Sequence, residues 1–333
     1  MEKEVFMEEN VVDKKICPLC GGENDCHAEK EGSHDVCWCV TTKIPKGLLD
    51  KIPQEKRGKA CVCKRCVEDY RSEDEIRWDA RADMFNEHQL NDPSPIEDQV
   101  LAFLEEVVSF DGSRVLDLAG GSGRYAIPLA KRAREVVLTD ISSKMLAHAK
   151  TNATREGVDN ILFEKLDWAE VDIAQSGMEK SFDLVFASMC PPLRTGEGLE
   201  KMIAASGKHC FINQFIVDKD SVGIFFDERL DHKRAFDPHN DRESVSRFFN
   251  ELWKRNFDPQ IRYALYDHEK RMTFEEALGI LQRDYGEIAK GKGLEVKNIL
   301  REYQELEGTQ DIPVRCKTVS AMIYWEIKEE AKS

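Results

Sequence analysis

The sequence predicts an α/β fold built on a doubly wound, mostly parallel sheet, with a small cysteine-rich metal module at its N-terminus. Three observations predict it. Strand and helix signals alternate for roughly a hundred residues after Asp111-Gly112, the order that parallel sheets require. A glycine-rich turn, Ala119-Gly120-Gly121-Ser122-Gly123, follows the first of those strands. Eight of the 11 cysteines lie between Cys17 and Cys66.

In chain order, residues 1–70 form the cysteine-rich module, with close cysteine pairs and few long apolar runs. Residues 71–110 form a linker of lid helices. Within it, Glu73 to Gln89 is expected to be a helix with Ile76, Trp78, Ala82 and Phe85 along one side, ended by Asn91-Asp92-Pro93-Ser94-Pro95. Ile96 to Val108 reads as an amphipathic helix. The main domain spans 111–333. Its strands are expected at Arg114–Leu118, Glu135–Thr139, Asn160–Lys165, Phe182–Ala187 and Lys208–Val217, with helices near Tyr125–Arg134, Ser143–Glu156 and Gly198–Ser206. Two later strands, Ile261–Asp267 and Thr318–Ile327, pair antiparallel at the sheet edge and bring the total to seven. Charged helices at Arg242–Arg255 and Thr273–Lys290 fall in a long insertion, about 218–308, expected to be a substrate lid.

Composition narrows the function. With 41% hydrophobic and 33% charged residues, and no run near the 18 or so apolar residues of a membrane span, the sequence predicts no membrane partner. The N-terminal residues lack the continuous apolar stretch of a secretory signal, so a cytoplasmic location is expected. A net charge of -15 disfavours attraction to phosphate backbones, which weighs against a nucleic-acid acceptor.

The glycine turn has the geometry of a nucleotide site. Glycines let a ligand approach the backbone where Cβ atoms would clash, and the helix beyond offers free N–H groups. Asp140 closes the next strand about 20 residues on, where a carboxylate accepts hydrogen bonds from ribose hydroxyls. No clean G-x-G-x-x-G is present, and Asp117 at the strand end would repel a pyrophosphate, whereas a methionine zwitterion suits it. The segment Asp117-Leu118-Ala119-Gly120-Gly121-Ser122-Gly123 resembles the first motif of the class I, Rossmann-like S-adenosylmethionine-dependent methyltransferases. Ala119 stands where that motif has its first glycine, an exchange that costs little at negative φ. The resemblance continues through Leu138 to Leu146, Leu166-Asp167-Trp168 and Phe182 to Phe186. It implies S-adenosylmethionine as cofactor, held by Asp117, Ala119, Gly121, Gly123, Tyr125, Asp140, Ile141, Met145, Asp167, Trp168 and Ser188.

Cys190-Pro191-Pro192, after the fourth strand, is the candidate substrate wall. It is similar to the Asn/Asp-Pro-Pro-aromatic motif of adenine and glutamine-amide methyltransferases, with Cys190 and Leu193 in place of the polar and aromatic members. A thiol shaping the pocket is favoured over a nucleophile. The lid is completed by the helix around Trp78 and by aromatic residues among Phe225, Phe226, Phe248, Phe249, Trp253 and Tyr285.

Cys17-Pro18-Leu19-Cys20 and Cys63-Lys64-Arg65-Cys66 are C-x-x-C pairs of the kind that present four thiolates to one tetrahedral zinc. Cys26, Cys37, Cys39 and Cys61 supply a second or mixed site. The ordering, with Cys37-Trp38-Cys39 at its centre, resembles the cysteine-rich CWC family. The expected activity is methyl transfer to a small molecule or a protein side chain. A zinc-guided RNA methyltransferase and a non-catalytic, zinc-organised binding protein are the alternatives. A zinc module ahead of a methyltransferase also resembles certain ribosomal RNA guanine methyltransferases.

Overall fold

The computed structural model describes residues 12–26, 37–40, 42, 44–233 and 236–328. The chain divides into two compact units, residues 1–80 and 81–333.

The first unit is organised by cysteines more than by apolar mass. A bridge pairs Ile16 with Glu23. A 3-10 turn at Trp38–Val40 precedes helices α1 (Lys46–Leu49) and α2 (Lys64–Glu68). Cys17, Leu48, Ile52, Val62 and Cys63 form its small core. Asn24 is buried and ties three strands of chain together: its Nδ2 donates to the carbonyls of Lys14 and Cys61, and its Oδ1 accepts from Cys26 N.

Helix α3 (Glu73–Asn91) contains the division between the units. Its expected apolar face is not what fixes it: Ile76 is 53% and Phe85 37% exposed, and Ala82 alone of the four is buried. Polar contacts anchor its second half. Asp83 meets His148 at 2.8 Å, Asn152 donates to Asn86 at 2.7 Å, and Ser122 Oγ donates to Gln89 at 2.6 Å. Helix α4 (Ile96–Val107) buries Val100, Leu101 and Leu104 as its periodicity predicts.

The sheet contains β1 (Arg114–Leu118), β2 (Glu135–Asp140), β3 (Ile161–Lys165), β4 (Phe182–Ser188), β5 (Ser206–Asp220), β6 (Gln260–Met272) and β7 (Ile312–Glu326). Their order is β3-β2-β1-β4-β5-β7-β6. The first five are parallel, while β7 runs antiparallel to both β5 and β6. Alternate residues of the central strands feed cores on opposite faces: Val136, Leu138, Leu184 and Phe186 on one, Val137, Val185 and Ala187 on the other. Both faces being covered, the strands are near-continuous apolar runs, as parallel sheets require.

Helices α5 (Ala126–Ala130), α6 (Ser143–Arg155), α7 (Ile173–Ser176) and α8 (Gly196–Ala205) make the crossovers. Helix α5 is a five-residue piece, much shorter than the expected Tyr125–Arg134. The insertion holds α9 (Ser221–Arg229), α10 (Arg242–Lys254), α11 (Phe274–Gly291) and α12 (Val296–Glu307). Helices α9, α11 and α12 close on the far end of β7 around their own core of Phe226, Leu281, Tyr285, Ile299, Leu300 and Ile312. The insertion aromatics mostly belong to cores. Phe226 is fully buried against Tyr285, Phe225 packs edge-on to Tyr303, and Phe248 is buried. Trp253 is exposed, stacked on Phe249.

Candidate active site and cysteine centre

Strand order reverses between β1 and β4, and open α/β sheets bind ligands in the crevice beyond the carboxyl ends at that point. The turn after β1 and the Ser188–Cys190 segment after β4 flank it.

The turn is held by its own backbone and by Asp140. Gly120 N donates to Thr139 O and Gly123 N to Gly120 O, each at 3.0 Å. Asp140 accepts from Gly121 N at 3.0 Å through Oδ2 and from Ser142 N at 2.8 Å through Oδ1. These two bonds fix the orientation of the carboxylate at the end of β2. A Cβ on Gly120 would lie 2.6 Å from Asp117 Oδ2 and 2.8 Å from Leu138 Cγ, so only glycine fits there. Ala119 has φ +53°. The negative φ at which the exchange is cheap is therefore not adopted, because the turn needs left-handed backbone at this step; Ala119 carries that strain.

Asp117 is 1% exposed and its Oδ2 has no hydrogen-bond partner. Burial, and then the nearby Asp140 charge, push its carboxyl up to about 8. A buried acceptor without a donor is costly, and an ammonium group delivered by a ligand would satisfy it.

The remaining sequence candidates divide. Ile141 is half-buried at the end of β2, and Met145, on α6, lies 4.0 Å by its sulfur from where a Gly121 Cβ would sit. Asp167 is half-buried after β3 and accepts from Ala169 N. Trp168 is turned away: its ring is buried in the core and Nε1 donates to Gly198 O at 3.1 Å. Tyr125 is buried with its ring against Phe186, 4.9 Å between centroids, and its hydroxyl accepts from Asn213 Nδ2 at 3.3 Å. Cys190 is buried, and desolvation pushes its thiol up to about 12. The resting thiol is therefore held in its protonated form at neutral pH, in keeping with a group that shapes the pocket. Pro191 and Pro192 open a 3-10 turn to Arg194.

In the N-terminal unit Cys17, Cys20, Cys63 and Cys66 converge, all four sulfurs within 4.8 Å of one another. Cys20 and Cys63 are 3.6 Å apart and Cys17 and Cys66 3.9 Å. Tetrahedral zinc with Zn–S near 2.3 Å places sulfurs about 3.8 Å apart, so the donor set fits that ion. The Gly22 amide and neighbouring thiols lower Cys20 to about 6, and burial raises Cys66. Of the second quartet, Cys37 and Cys39 sulfurs lie 3.1 Å apart, and Cys61 is near enough for its charge to raise the Cys39 thiol; among the described residues these sulfurs do not form a group as tight as the first four.

Comparison with known proteins agrees with this geometry. Residues 17–68 match the family model described as cysteine-rich CWC, and residues 109–263 the model described as a methyltransferase domain. Residues 109–263 thus carry a methyltransferase domain and residues 17–68 a cysteine-rich CWC module. The chain's relatives include the 23S rRNA (uracil(1939)-C(5))-methyltransferase RlmD of Aeromonas salmonicida, 40% identical over 79 residues, which are 24% of this chain and 18% of that protein. The Aeromonas hydrophila protein of the same name is 36% identical over 111 residues, 33% of this chain and 24% of that protein. The chain thus spans under a third of the length of the curated relatives it matches. Among solved structures, a SAM dependent methyltransferase from Aquifex aeolicus aligns with TM-score 0.41 and 14% identity, covering 72% of this chain and 96% of that one.

Proposed function

We propose that this protein transfers a methyl group from S-adenosylmethionine to a small molecule or a protein side chain. The observation that carries the reading is the pair of carboxylates at the ends of β1 and β2. Asp117 is buried with an unpartnered oxygen, and Asp140 is held at the end of β2 by two backbone amides. In this reading Asp117 receives the α-ammonium of the methionine moiety and Asp140 the ribose hydroxyls. Gly121 and Gly123 let the ligand approach the turn. Ile141, Met145 and Asp167 flank the adenosine, and Ser188 with Cys190 to Pro192 faces the acceptor. Bound there, S-adenosylmethionine supplies an electrophilic methyl on a sulfonium. The protein's part is alignment and exclusion of water around the reacting pair. Tyr125 and Trp168 act through the backbone and the core, since both rings are buried.

Charge supports the acceptor class. A cavity of about 640 Å³ beside the end of β5 is lined by seven carboxylates, Asp218, Asp220, Asp237 and Asp241 among them, against three cations. That lining and the net charge of -15 disfavour a phosphate backbone. The names of the relatives favour the second reading, an RNA acceptor brought by the zinc module. Tetrahedral zinc on Cys17, Cys20, Cys63 and Cys66 is the accompanying proposal. No helix among the described residues is long and apolar enough to cross a membrane.

Calorimetry with S-adenosylhomocysteine tests the cofactor reading. Saturable binding supports it, and no binding at millimolar ligand removes it. Filter binding with a structured ribosomal RNA fragment separates the acceptors: retention at physiological salt replaces the first reading by the second.

A further inference from the structure

Strand β5 carries a polar interruption, Asn213-Gln214, in the run Cys210-Phe211-Ile212-Asn213-Gln214-Phe215-Ile216-Val217. Asn213 is fully buried, where an unpaired amide would be costly, and every polar atom of its side chain is used. Its Nδ2 donates to Ser188 Oγ at 3.0 Å and to Tyr125 OH at 3.3 Å, while Oδ1 accepts from Ser320 Oγ on β7. One side chain therefore joins the residue that closes β4, the residue that follows the glycine turn and a strand on the far side of β5.

The backbone adds to this. Met189 N donates to Asn213 O at 2.9 Å, and Phe215 N donates to the Met189 sulfur at 3.2 Å. Met189 itself sits at φ +52°, a left-handed conformation that a non-glycine residue keeps only when its surroundings determine it. That conformation turns the chain from β4 into Cys190-Pro191-Pro192, the acceptor side of the crevice. The hydrogen bonds that determine it come from β5.

We propose that Asn213 is a positioning residue which holds the loop from Ser188 to Arg194 in register with the glycine turn through Ser188 and Tyr125. The proposal rests on the methyl-transfer reading, because it assigns cofactor and acceptor to the two sides that Asn213 joins. Ligand at the turn then steadies the acceptor loop, and the loop is loosened when the amide is removed.

Two buried cysteines read this directly. Cys190 lies in the loop, 6% exposed, and Cys210 lies on the same strand as Asn213, fully buried. Both thiols are raised by burial, so modification of either requires opening. The experiment is N-ethylmaleimide labelling of the full chain, with each cysteine quantified by peptide mass spectrometry, with and without saturating S-adenosylhomocysteine. In Asn213→Ala, Cys190 is expected to label at least tenfold faster than in wild type while Cys210 changes less than twofold. In wild type the ligand is expected to slow Cys190 at least threefold, and in Asn213→Ala this protection is lost.

If Cys190 and Cys210 accelerate together, Asn213 only supports the fold and the proposal is overturned. An unchanged Cys190 rate in a folded variant, or retained ligand protection, overturns it equally. Should Asn213→Ala fold poorly, Ser188→Ala removes one bond from the loop side and is read in the same way. Wild-type calorimetry separates the two levels: absence of S-adenosylhomocysteine binding defeats the methyl-transfer reading, whereas binding without the Cys190 contrast defeats only the role of Asn213.

Discussion

Cofactor binding should be coupled to loss of the proton on Asp117. The carboxyl is fully buried beside Asp140 and is raised to about 8, so at pH 7 only about a tenth of the ligand-free protein holds it ionised, and at pH 6 about a hundredth. An ammonium partner needs the carboxylate. The apparent Kd is the intrinsic value divided by the competent fraction, so S-adenosylhomocysteine affinity should weaken about tenfold per pH unit below 8 and level off above it. Calorimetry at pH 6, 7 and 8, repeated in buffers of different ionisation enthalpy, should show close to one proton released per ligand at pH 6. Asp117→Asn should abolish both the slope and the release. Ligand-free stability follows the same group in the opposite sense. The folded state keeps a proton that the unfolded chain gives up near pH 4, so raising the pH favours unfolding, by up to about 1.4 kcal/mol per unit between roughly pH 4 and 8 from this residue. A pH-independent Kd with no proton release would refute the pairing of Asp117 with the ligand's ammonium.

Asp140→Ala should weaken S-adenosylhomocysteine binding by about 1–3 kcal/mol, as loss of a charge-assisted acceptor does; since Asp140 also holds Gly121 N and Ser142 N, a lower Tm should accompany it, and calorimetry plus a thermal scan reads both. Ala119→Gly relieves a residue at φ +53°, worth about 1–2 kcal/mol, against a gain in unfolded-chain entropy of about 0.4–1 kcal/mol. A net stabilisation near 1 kcal/mol is expected in chemical denaturation, and a destabilised variant would mean the turn is not strained there. Metal analysis of protein purified without chelator should find one zinc per chain, lost in Cys17→Ser, since among the described residues the tight group is Cys17, Cys20, Cys63 and Cys66; two zincs per chain would show that Cys26, Cys37, Cys39 and Cys61 hold a second ion.

Local pattern made the parallel half of the molecule legible. The β1 bounds agree with the sequence expectation, and β2 to β4 do so within one residue, because a strand buried on both faces is an uninterrupted apolar run whose ends are marked by polar residues and glycine. The glycine turn, Asp117, Asp140 and the two C-x-x-C pairs were legible for a related reason. Each is a short segment whose chemistry depends on spacing along the chain, and spacing is what a sequence states directly.

Contacts between distant segments are not written that way. Strands β6 and β7 extend beyond their expected spans, because their far halves are stabilised by one another and by α9, α11 and α12. Phe225 and Phe226 suit a lid on composition alone, but the partners that bury them, Tyr303 and Tyr285, lie tens of residues away. The burial of Tyr125 against Phe186 and of Trp168 beside Gly198 likewise depends on partners from other elements. Asn213 was visible only as a polar residue in an apolar strand. Its meaning depends on Ser188, Tyr125 and Ser320 arriving from three other elements. The sequence by itself determined the class of sheet, the turn and the C-x-x-C pairs, since these follow from residue type and local spacing. Tertiary structure alone decided which side chains face the crevice and which fill the core, because burial depends on what the rest of the chain places alongside.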